Sequence, residues 1–317
     1  MHTKDFSIII TTFNDSENVE SFVQSIANQT IRPSFLVVVD GGSHDNTLDV
    51  LKKATEAYGF CLISESGQRL NIAQGYNRAI KICKTEIFFI MGIGNTYPKN
   101  FIEKMFQEQK RTQTQIVYSP IQGNDKTAFA KVFNKAFVAY NPPMLGHDFG
   151  YASNRGVLIS KSVFKNIGLF YDTFIYAGED TEFFIRAKKL GIKSGYAKET
   201  YLTWDTPLNF HQYLKKCKVN ALADIQCFPW SRLFANAISR LLFITCFLFF
   251  IIIGYWYFSL SLILLLLSII CMKTKSMNWA VLLLRLHFFF LPSYYYLLFI
   301  NKFKKNMVVY NNPVPQL

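Results

Sequence analysis

Two strand ends near the front of the chain carry residues with the types and spacing of a ligand cradle. In Val37-Val38-Val39-Asp40-Gly41-Gly42-Ser43-His44-Asp45-Asn46-Thr47, three β-branched residues form a buried strand, with Asp40 at its carboxyl end. In an open α/β sheet, ligands bind just outside the carboxyl ends of strands. An acid there accepts hydrogen bonds from a base or a ribose, and glycines let backbone approach a ligand with no Cβ in the way. A second strand, Ser7-Ile8-Ile9-Ile10-Thr11, runs into Thr12-Phe13-Asn14-Asp15. Side by side, the two edges make a nucleotide cradle.

The elements that position these edges alternate. Apolar runs predict strands at 6–11, 35–39, 60–64, 87–91 and 115–118, and helices at about 16–29, 46–58, 72–84 and 99–111. Asp15 or Ser16 can cap the first helix, and Pro98 stands near the start of the last. Strand–helix alternation of this kind predicts a mostly parallel sheet with helices on both faces. Residues 119–155, with Pro120, Pro142, Pro143 and several glycines, read as an insertion or active-site loop. A second block follows, with a strand at Val157-Leu158-Ile159, a helix from Lys161 and a helix over about 179–190.

Charge separates the front of the chain from its tail. The 317 residues carry a net charge of +13, and residues 241–317 hold six Lys or Arg and no Asp or Glu. No aromatic–basic ladder or nucleic-acid motif accompanies the excess, which argues against nucleic acid as a partner. Basic residues that flank apolar segments and face anionic lipid are the simpler account. Leu241–Met272 is 32 residues without a charge, longer than one simple span of about 20. The pattern predicts a membrane hairpin over 233–272 turning near Gly254, within a membrane region 233–305. The hairpin would return at Lys273 and Lys275, which leaves the globular part cytoplasmic under the positive-inside rule. Residues 279–300 contain Arg285, His287 and Pro292 and read as an interfacial or third membrane helix. Residues 207–224 read as an amphipathic helix, so 206–232 is expected to lie in the membrane interface, and 306–317 forms a tail. The six cysteines show no metal-ligand spacing and fit free thiols in a reducing cytosol.

Several local patterns together resemble family-2 glycosyltransferases. Ile8-Ile9-Ile10-Thr11-Thr12-Phe13-Asn14 is similar to the strand that opens that family, and Val38-Val39-Asp40-Gly41-Gly42-Ser43-His44-Asp45 to its second strand and turn. Ala73-Gln74-Gly75-Tyr76-Asn77-Arg78-Ala79 resembles its third helix, and Gly178-Glu179-Asp180-Thr181-Glu182-Phe183-Phe184-Ile185-Arg186 its acidic helix start. Trp204 and the stretch 207–213 resemble the segment that precedes the tail in membrane-attached, exopolysaccharide-type members. The resemblance spans about residues 5–230.

It implies a GT-A fold over residues 1–205 and inverting transfer of a sugar from a nucleoside diphosphate. It further implies a membrane-associated glycan or polyprenyl-linked acceptor, in polysaccharide or glycoconjugate synthesis. Inversion needs one base to take the proton from the attacking hydroxyl, and a positioned base contributes about 10²–10⁴ in rate. By position in the motif that base is Asp180, with Glu179 beside it. The same alignment puts Thr11, Thr12, Asn14, Asp40, Asn77 and Arg78 on the donor, and Trp204 and Gln212 on the acceptor. A non-catalytic nucleotide-sugar-binding or assembly protein on the same fold is the alternative. A dinucleotide-binding dehydrogenase is disfavoured, because no G-x-G-x-x-G follows the first strand.

One departure from the family matters. Members carry a D-x-D, or at least one Asp, after the fourth strand, where it helps a divalent cation bridge the diphosphate. Here the matching positions are Gly92-Ile93-Gly94-Asn95, and no carboxylate occurs between Glu86 and Glu103. Mg²⁺ and Mn²⁺ favour hard oxygen ligands, so such a cation is doubtful. Three readings stay open. Lys or Arg neutralises the diphosphate, with Arg155 of Ser153-Asn154-Arg155-Gly156 as the candidate. A metal binds through the diphosphate, Asn95 and a remote acid. Or the chain binds donor without turning it over. Gly92 and Gly94 would let the donor approach the backbone in any of these.

Overall fold

The computed structural model describes residues 5–65, 67–138, 152–174, 177–227, 230–274, 278–287 and 313–317. Along the chain run β1 (Phe6–Thr12), α1 (Ser16–Ala27), β2 (Phe35–Asp40), α2 (Thr47–Ala57), β3 (Leu62–Glu65), α3 (Ile72–Ile82) and β4 (Ile87–Met91). Next come β5 (Asn95–Thr96), α4 (Phe101–Thr112), β6 (Ile116–Tyr118), β7 (Ile121–Gly123), α5 (Ala128–Phe133) and a π-helix (Asn134–Val138). β8 (Gly156–Ser160), α6 (Lys161–Ile167), α7 (Glu179–Lys189), β9 (Ser194–Tyr196) and β10 (Leu202–Trp204) follow. The last elements are α8 (Phe210–Cys227), α9 (Trp230–Ile252) and α10 (Trp256–Thr274), with further helix at 279–287.

The chain divides into two compact units, 1–122 with 142–205 and 310–317, and 123–141 with 206–309. The first is built on a seven-stranded sheet of order β3-β2-β1-β4-β8-β6-β9. β1 pairs parallel with β2 and β4, and β2 with β3, while β8 runs antiparallel between β4 and β6. Side-chain alternation along the strands fills both faces. Ile8, Ile10, Leu36, Val38, Phe89 and Leu158 pack with residues of α1, α2 and α4. Ile9, Val37, Val39, Phe88, Ile90, Val157 and Ile159 pack with residues of α3, α6 and α7. Each fully buried aliphatic side chain contributes about 1.5–3 kcal/mol. Two apolar faces per strand are why the strands read as continuous apolar runs. The antiparallel insertion of β8 has a direct consequence for the site. Register Met91↔Gly156 brings the start of β8 to the carboxyl end of β4.

A three-stranded sheet of order β5-β10-β7 lies outside the sequence prediction. Its strands have two or three residues each, too short to show a period of two. The 119–155 segment, read as irregular, holds β7, α5 and the π-helix; residues 139–151, with His147, lie outside the described residues. The final residues also have a place in the first unit, since the Leu169 N–H donates to the Pro315 carbonyl at 2.8 Å.

In the second unit, Tyr213 of α8 is 1% exposed and packs its ring near Phe129, Phe133, Phe137 and Phe210. Its hydroxyl shares a hydrogen bond with His287 Nδ1 at 3.1 Å. The helix expected within 206–232 forms as α8, and its Tyr213 side packs on protein aromatic rings. Arg285 lies over the Phe137 ring at 4.6 Å, so the charge in the 279–300 segment also meets protein. Residues 288–300 of that segment lie outside the described residues. α9 and α10 form the expected hairpin, turning at Gly254 and packed on each other. Among the described residues no helix is long and apolar enough to cross a membrane, so membrane-spanning helices are not shown.

Candidate functional site

The β1 and β2 ends are held by hydrogen bonds of their own. Asp40 is 2% exposed and pairs with Thr12 across the strands. Its Oδ2 accepts from the Gly42 and Ser43 N–H groups at 3.0 and 2.9 Å, and its Oδ1 accepts from the Ser43 hydroxyl at 2.6 Å. Gly42 has φ +84°, and a Cβ there would lie 3.3 Å from the Arg69 backbone, so only glycine fits. Asn14 also sits at positive φ, 54°, which Asn tolerates better than most residues. Its N–H donates to Ser43 Oγ at 2.8 Å and its Oδ1 accepts from the His44 N–H at 2.9 Å, which locks the two loops together. Asp45 accepts from the Thr47 hydroxyl and from the Thr47 and Ser16 N–H groups. The Thr47 hydroxyl is the main reason its carboxyl is lowered to about 2. The Arg69 guanidinium lies 3.7 Å over the Phe13 ring and donates to the Gly41 carbonyl.

The β4 and β8 ends are arranged differently. After β4, Asn95 folds back and donates from Nδ2 to the Gly92 carbonyl at 2.9 Å. A Cβ on Gly92 would stand 2.9 Å from that nitrogen and push the Asn95 amide out of this position. Tyr97 bridges the two strand ends: its hydroxyl accepts from the Gly92 N–H and donates to the Arg155 carbonyl. Burial is the main cause that raises its pKa. The Arg155 guanidinium stacks on Trp204 at 4.7 Å and donates from Nη1 to Ser153 Oγ at 2.8 Å. Among the described residues Arg155 makes no ion pair with a carboxylate, while Asn95 Oδ1 and both polar atoms of the Asn154 amide lack a partner. Asn95 and Asn154 are 6% and 5% exposed, so these atoms are shut away from bulk water.

Two acids at the start of α7 complete this edge. Asp180 Oδ2 accepts from the Ser153 hydroxyl at 3.0 Å and faces the Asn154 N–H at 3.4 Å, and its Oδ1 accepts from the Thr181 N–H. Glu179 is 6% exposed, and burial, reinforced by Asp180, raises its carboxyl to about 8. The Asn154 amide and the Arg155 charge ease that shift, but Asn154 lies outside hydrogen-bond geometry and keeps its orphan atoms. Glu179 is therefore held towards its neutral form near neutral pH, because burial and the like charge of the neighbouring acid both disfavour its ionisation. Burial is the main cause that raises the Tyr76 hydroxyl, and nearby Glu179 adds to it.

The structure gathers Thr11, Thr12, Asn14, Asp40, Gly92, Gly94, Asn95, Arg155, Glu179 and Asp180 at the carboxyl ends of the central strands or at loops bonded to them. Asn77 is corrected. Its Nδ2 donates to the Phe170 carbonyl at 2.8 Å and its Oδ1 accepts from the Phe170 N–H at 3.0 Å, so it staples α3 to the segment after α6. Arg78 donates to Gln68 at 3.0 Å on an exposed surface. Gln212 lies in the second unit and accepts from the Leu208 N–H at 2.8 Å, at the start of α8. Trp204, expected to meet the acceptor, carries Arg155 on its ring. Sequence reasoning missed Ser153, Asn154 and Tyr97 as site residues. Ser153 and Asn154 adjoin Arg155, but their reach to α7, 27 and 26 residues away, leaves no local signal.

Residues 7–168 match the family model described as glycosyl transferase family 2. The chain belongs to that family. Among curated relatives, the poly(ribitol-phosphate) beta-N-acetylglucosaminyltransferase TarP of Staphylococcus aureus (strain N315) is 24% identical over 203 residues, 61% of this chain and 61% of that protein. A dolichyl N-acetyl-alpha-D-glucosaminyl phosphate 3-beta-D-2,3-diacetamido-2,3-dideoxy-beta-D-glucuronosyltransferase of Methanococcus voltae is 28% identical over 208 residues, 59% of this chain and 62% of that protein. The match spans about three fifths of the length of these relatives. Among solved structures, the mannosyltransferase PcManGT from Pyrobaculum calidifontis in complex with GDP-Man and Mn²⁺ superposes with a TM-score of 0.62. It covers 94% of this chain and 88% of that one at 13% identity, and shows the fold alone. The fold of the first unit is GT-A.

The divalent cation that the family resemblance implies does not fit the residues present. The β4–β5 loop offers no carboxylate, and the oxygen of its side-chain amide, Asn95 Oδ1, is a neutral and weaker ligand than the acids it stands in for. Among the described residues no group of three His, Cys, Asp or Glu is placed to hold a metal ion.

Proposed function

We propose that the protein is an inverting glycosyltransferase that moves a sugar, hexosyl-like in size, from a nucleoside diphosphate to a membrane-associated glycan or polyprenyl-linked acceptor. The observation that carries this reading is Asp180 at the start of α7, its Oδ2 oriented by the Ser153 hydroxyl beside the β4 and β8 ends, with the buried Glu179 next to it. Asp180 takes the proton from the acceptor hydroxyl, and the freed oxygen attacks the anomeric carbon opposite the diphosphate. The bond from that carbon to the diphosphate breaks, and the electron pair leaves with the nucleotide. One displacement inverts the centre, so one base suffices. Keeping Glu179 protonated leaves a single negative charge where the nucleophile forms.

The nucleotide side rests on Asp40 and the loops locked to it, with a ribose or base edge meeting the acid's remaining lone-pair capacity. Membership in the family and relatives named for polymer and dolichyl acceptors support the acceptor class. Membrane attachment through the α9–α10 hairpin is supported by its bare apolar side chains. Leu242, Phe249, Ile252, Trp256, Leu264 and Leu265 are each more than half exposed, a surface that requires a partner such as lipid. The charge pattern, with Lys273 and Lys275 closing the hairpin, supports a catalytic unit on the cytoplasmic side under the positive-inside rule.

The test uses the full chain in detergent with UDP- and GDP-sugars and polyprenyl-phosphate or polymer acceptors. Transfer with inversion at the anomeric carbon, abolished by Asp180→Asn, is the expected result. Nucleotide binding without hydrolysis or transfer to any acceptor would replace this reading with the non-catalytic one. Recovery of the protein in a carbonate-washed membrane fraction, lost when 230–274 is deleted, tests the attachment.

A further inference from the structure

We propose that Arg155, seated on Trp204, grips the donor's diphosphate and neutralises it in the place where the family resemblance puts a protein-held divalent cation, and that the Asn95 and Asn154 amides complete the grip. This rests on the nucleoside-diphosphate donor of the preceding reading and deepens it. A leaving diphosphate develops charge as the glycosidic bond breaks, and some cation must meet it. At the carboxyl end of β4 no carboxylate occurs between Glu86 and Glu103, so the protein supplies no hard anionic ligand there. It supplies an arginine instead. The Met91↔Gly156 register sets Arg155 directly beside Gly92, and Tyr97 ties the two backbones together.

Three features make this arginine a prepared anion ligand. The guanidinium carbon lies 4.7 Å over the Trp204 ring, a cation–π seat that lowers the entropy lost on binding. One N–H is used on Ser153 Oγ, and among the described residues no carboxylate pairs with it, which leaves donors of its fork for a phosphate oxygen. Polar groups with unspent capacity lie in the same backbone segments. Asn95 Oδ1 and Asn154 Nδ2 and Oδ1 are buried without partners, an arrangement that is costly in an empty protein and is relieved by a polar ligand. The amide nitrogen of Asn154 donates to phosphate oxygen, and the two amide oxygens accept from sugar hydroxyls.

Ser153 gives the arrangement a second role. Its hydroxyl accepts from Arg155 and donates to Asp180, so the phosphate ligand and the base share one hinge atom. Ser153 is a positioning residue: it sets the distance between the leaving group's cation and the attacking group's base.

The experiment is binding of UDP, GDP, uridine and guanosine to the full chain in detergent, by calorimetry, in EDTA and in Mn²⁺. Arg155→Ala, Arg155→Lys and Trp204→Leu are compared with the parent, each checked by its thermal melt. The parent is expected to bind one diphosphate in EDTA with an affinity within about twofold of that in Mn²⁺, since the ligand is a side chain and not a metal. Arg155→Ala is expected to weaken the diphosphate by about 10- to 100-fold, the loss of a charge-assisted contact, and to leave the nucleoside unchanged. Arg155→Lys keeps the charge but not the stacked fork, and restores only part of the loss. Should Arg155→Ala fail to melt cooperatively, Arg155→Lys and Trp204→Leu carry the test. Diphosphate binding that appears only with Mn²⁺, or that is unaltered in folded Arg155 variants, overturns the proposal while the donor reading stands. Absence of any nucleoside or diphosphate binding in the parent overturns both.

Discussion

The two edges of the sheet that form the site are built to opposite rules. At the β1–β2 edge the acids are consumed by the fold. Asp40 accepts three hydrogen bonds from its own turn, Asp45 accepts from the Thr47 and Ser16 N–H groups at the starts of α2 and α1, and Asn14 crosslinks the loops. At the β4–β8 edge polar capacity is left over: Arg155 without an ion pair among the described residues, two buried amides with orphan atoms, and a buried Glu179 held neutral. A buried polar atom without a partner costs about 1–3 kcal/mol, so such groups persist where something other than stability keeps them. On the proposed donor reading, the first edge meets the nucleoside with its hydrogen bonds already made, and the second has polar capacity left for the diphosphate.

The sharpest way to break this contrast is Asp180→Asn. Transfer should fall by about 10²–10⁴ while the melting temperature barely moves, because Asp180 contributes a proton acceptor more than it contributes packing. Steady-state transfer rates decide it, and a rate within threefold of the parent, roughly, would remove Asp180 from the role of base.

Glu179 tests the claim that the second edge stores instability. Its carboxyl sits at about 8 in the fold against 4.5 for the free group, so the folded state holds a proton the unfolded chain has released. Its contribution is present in full below about 4.5, and stability is lost as pH rises towards about 8, with a slope of at most ~1.4 kcal/mol per pH unit. Glu179→Gln, which imitates the protonated acid, should flatten that slope in denaturant titrations across this window. It should also cost far less activity than Asp180→Asn. A slope unchanged by the substitution would place the titration elsewhere.

Asp40→Asn probes the finished edge. The Gly42 and Ser43 N–H groups lose a charged acceptor, and unfolding should become easier by about 1–3 kcal/mol, with nucleoside binding weakened in parallel. Chemical denaturation with and without nucleotide separates the two losses. The smallest effect is expected at Asp45. Its carboxyl is lowered to about 2 by the Thr47 hydroxyl, so its support is present above the ordinary value near 3.8 and is lost as pH falls through about 2. Asp45→Asn should remove only that acid-side dependence in melts taken between those values.

The central strands were plain in the residues, because a strand buried on both faces has to be apolar throughout. Ile8-Ile9-Ile10, Val37-Val38-Val39 and Phe88-Phe89-Ile90 carry that requirement in three consecutive positions each. Asp40 and its glycines were equally plain, since the whole turn is local. Asp180 and Arg155 could be nominated only through the resemblance to family-2 glycosyltransferases, because an acid at a helix start and an arginine in a loop are ordinary locally. Asn77 shows the complementary limit. Its place on a motif helix suggested the donor, but its amide bonds the backbone of Phe170, 93 residues on.

By itself, then, the sequence determined the alternating α/β frame, the cradle at Asp40, the loss of carboxylates after β4 and the apolar tail, all written in contiguous runs whose physics is local. The tertiary structure decided which polar groups are spent and which remain. That β8 enters antiparallel beside β4, that Trp204 returns to carry Arg155, and that Ser153 reaches Asp180 are contacts between distant segments. Hydrogen-bond satisfaction is a property of such contacts, and no window of sequence contains it.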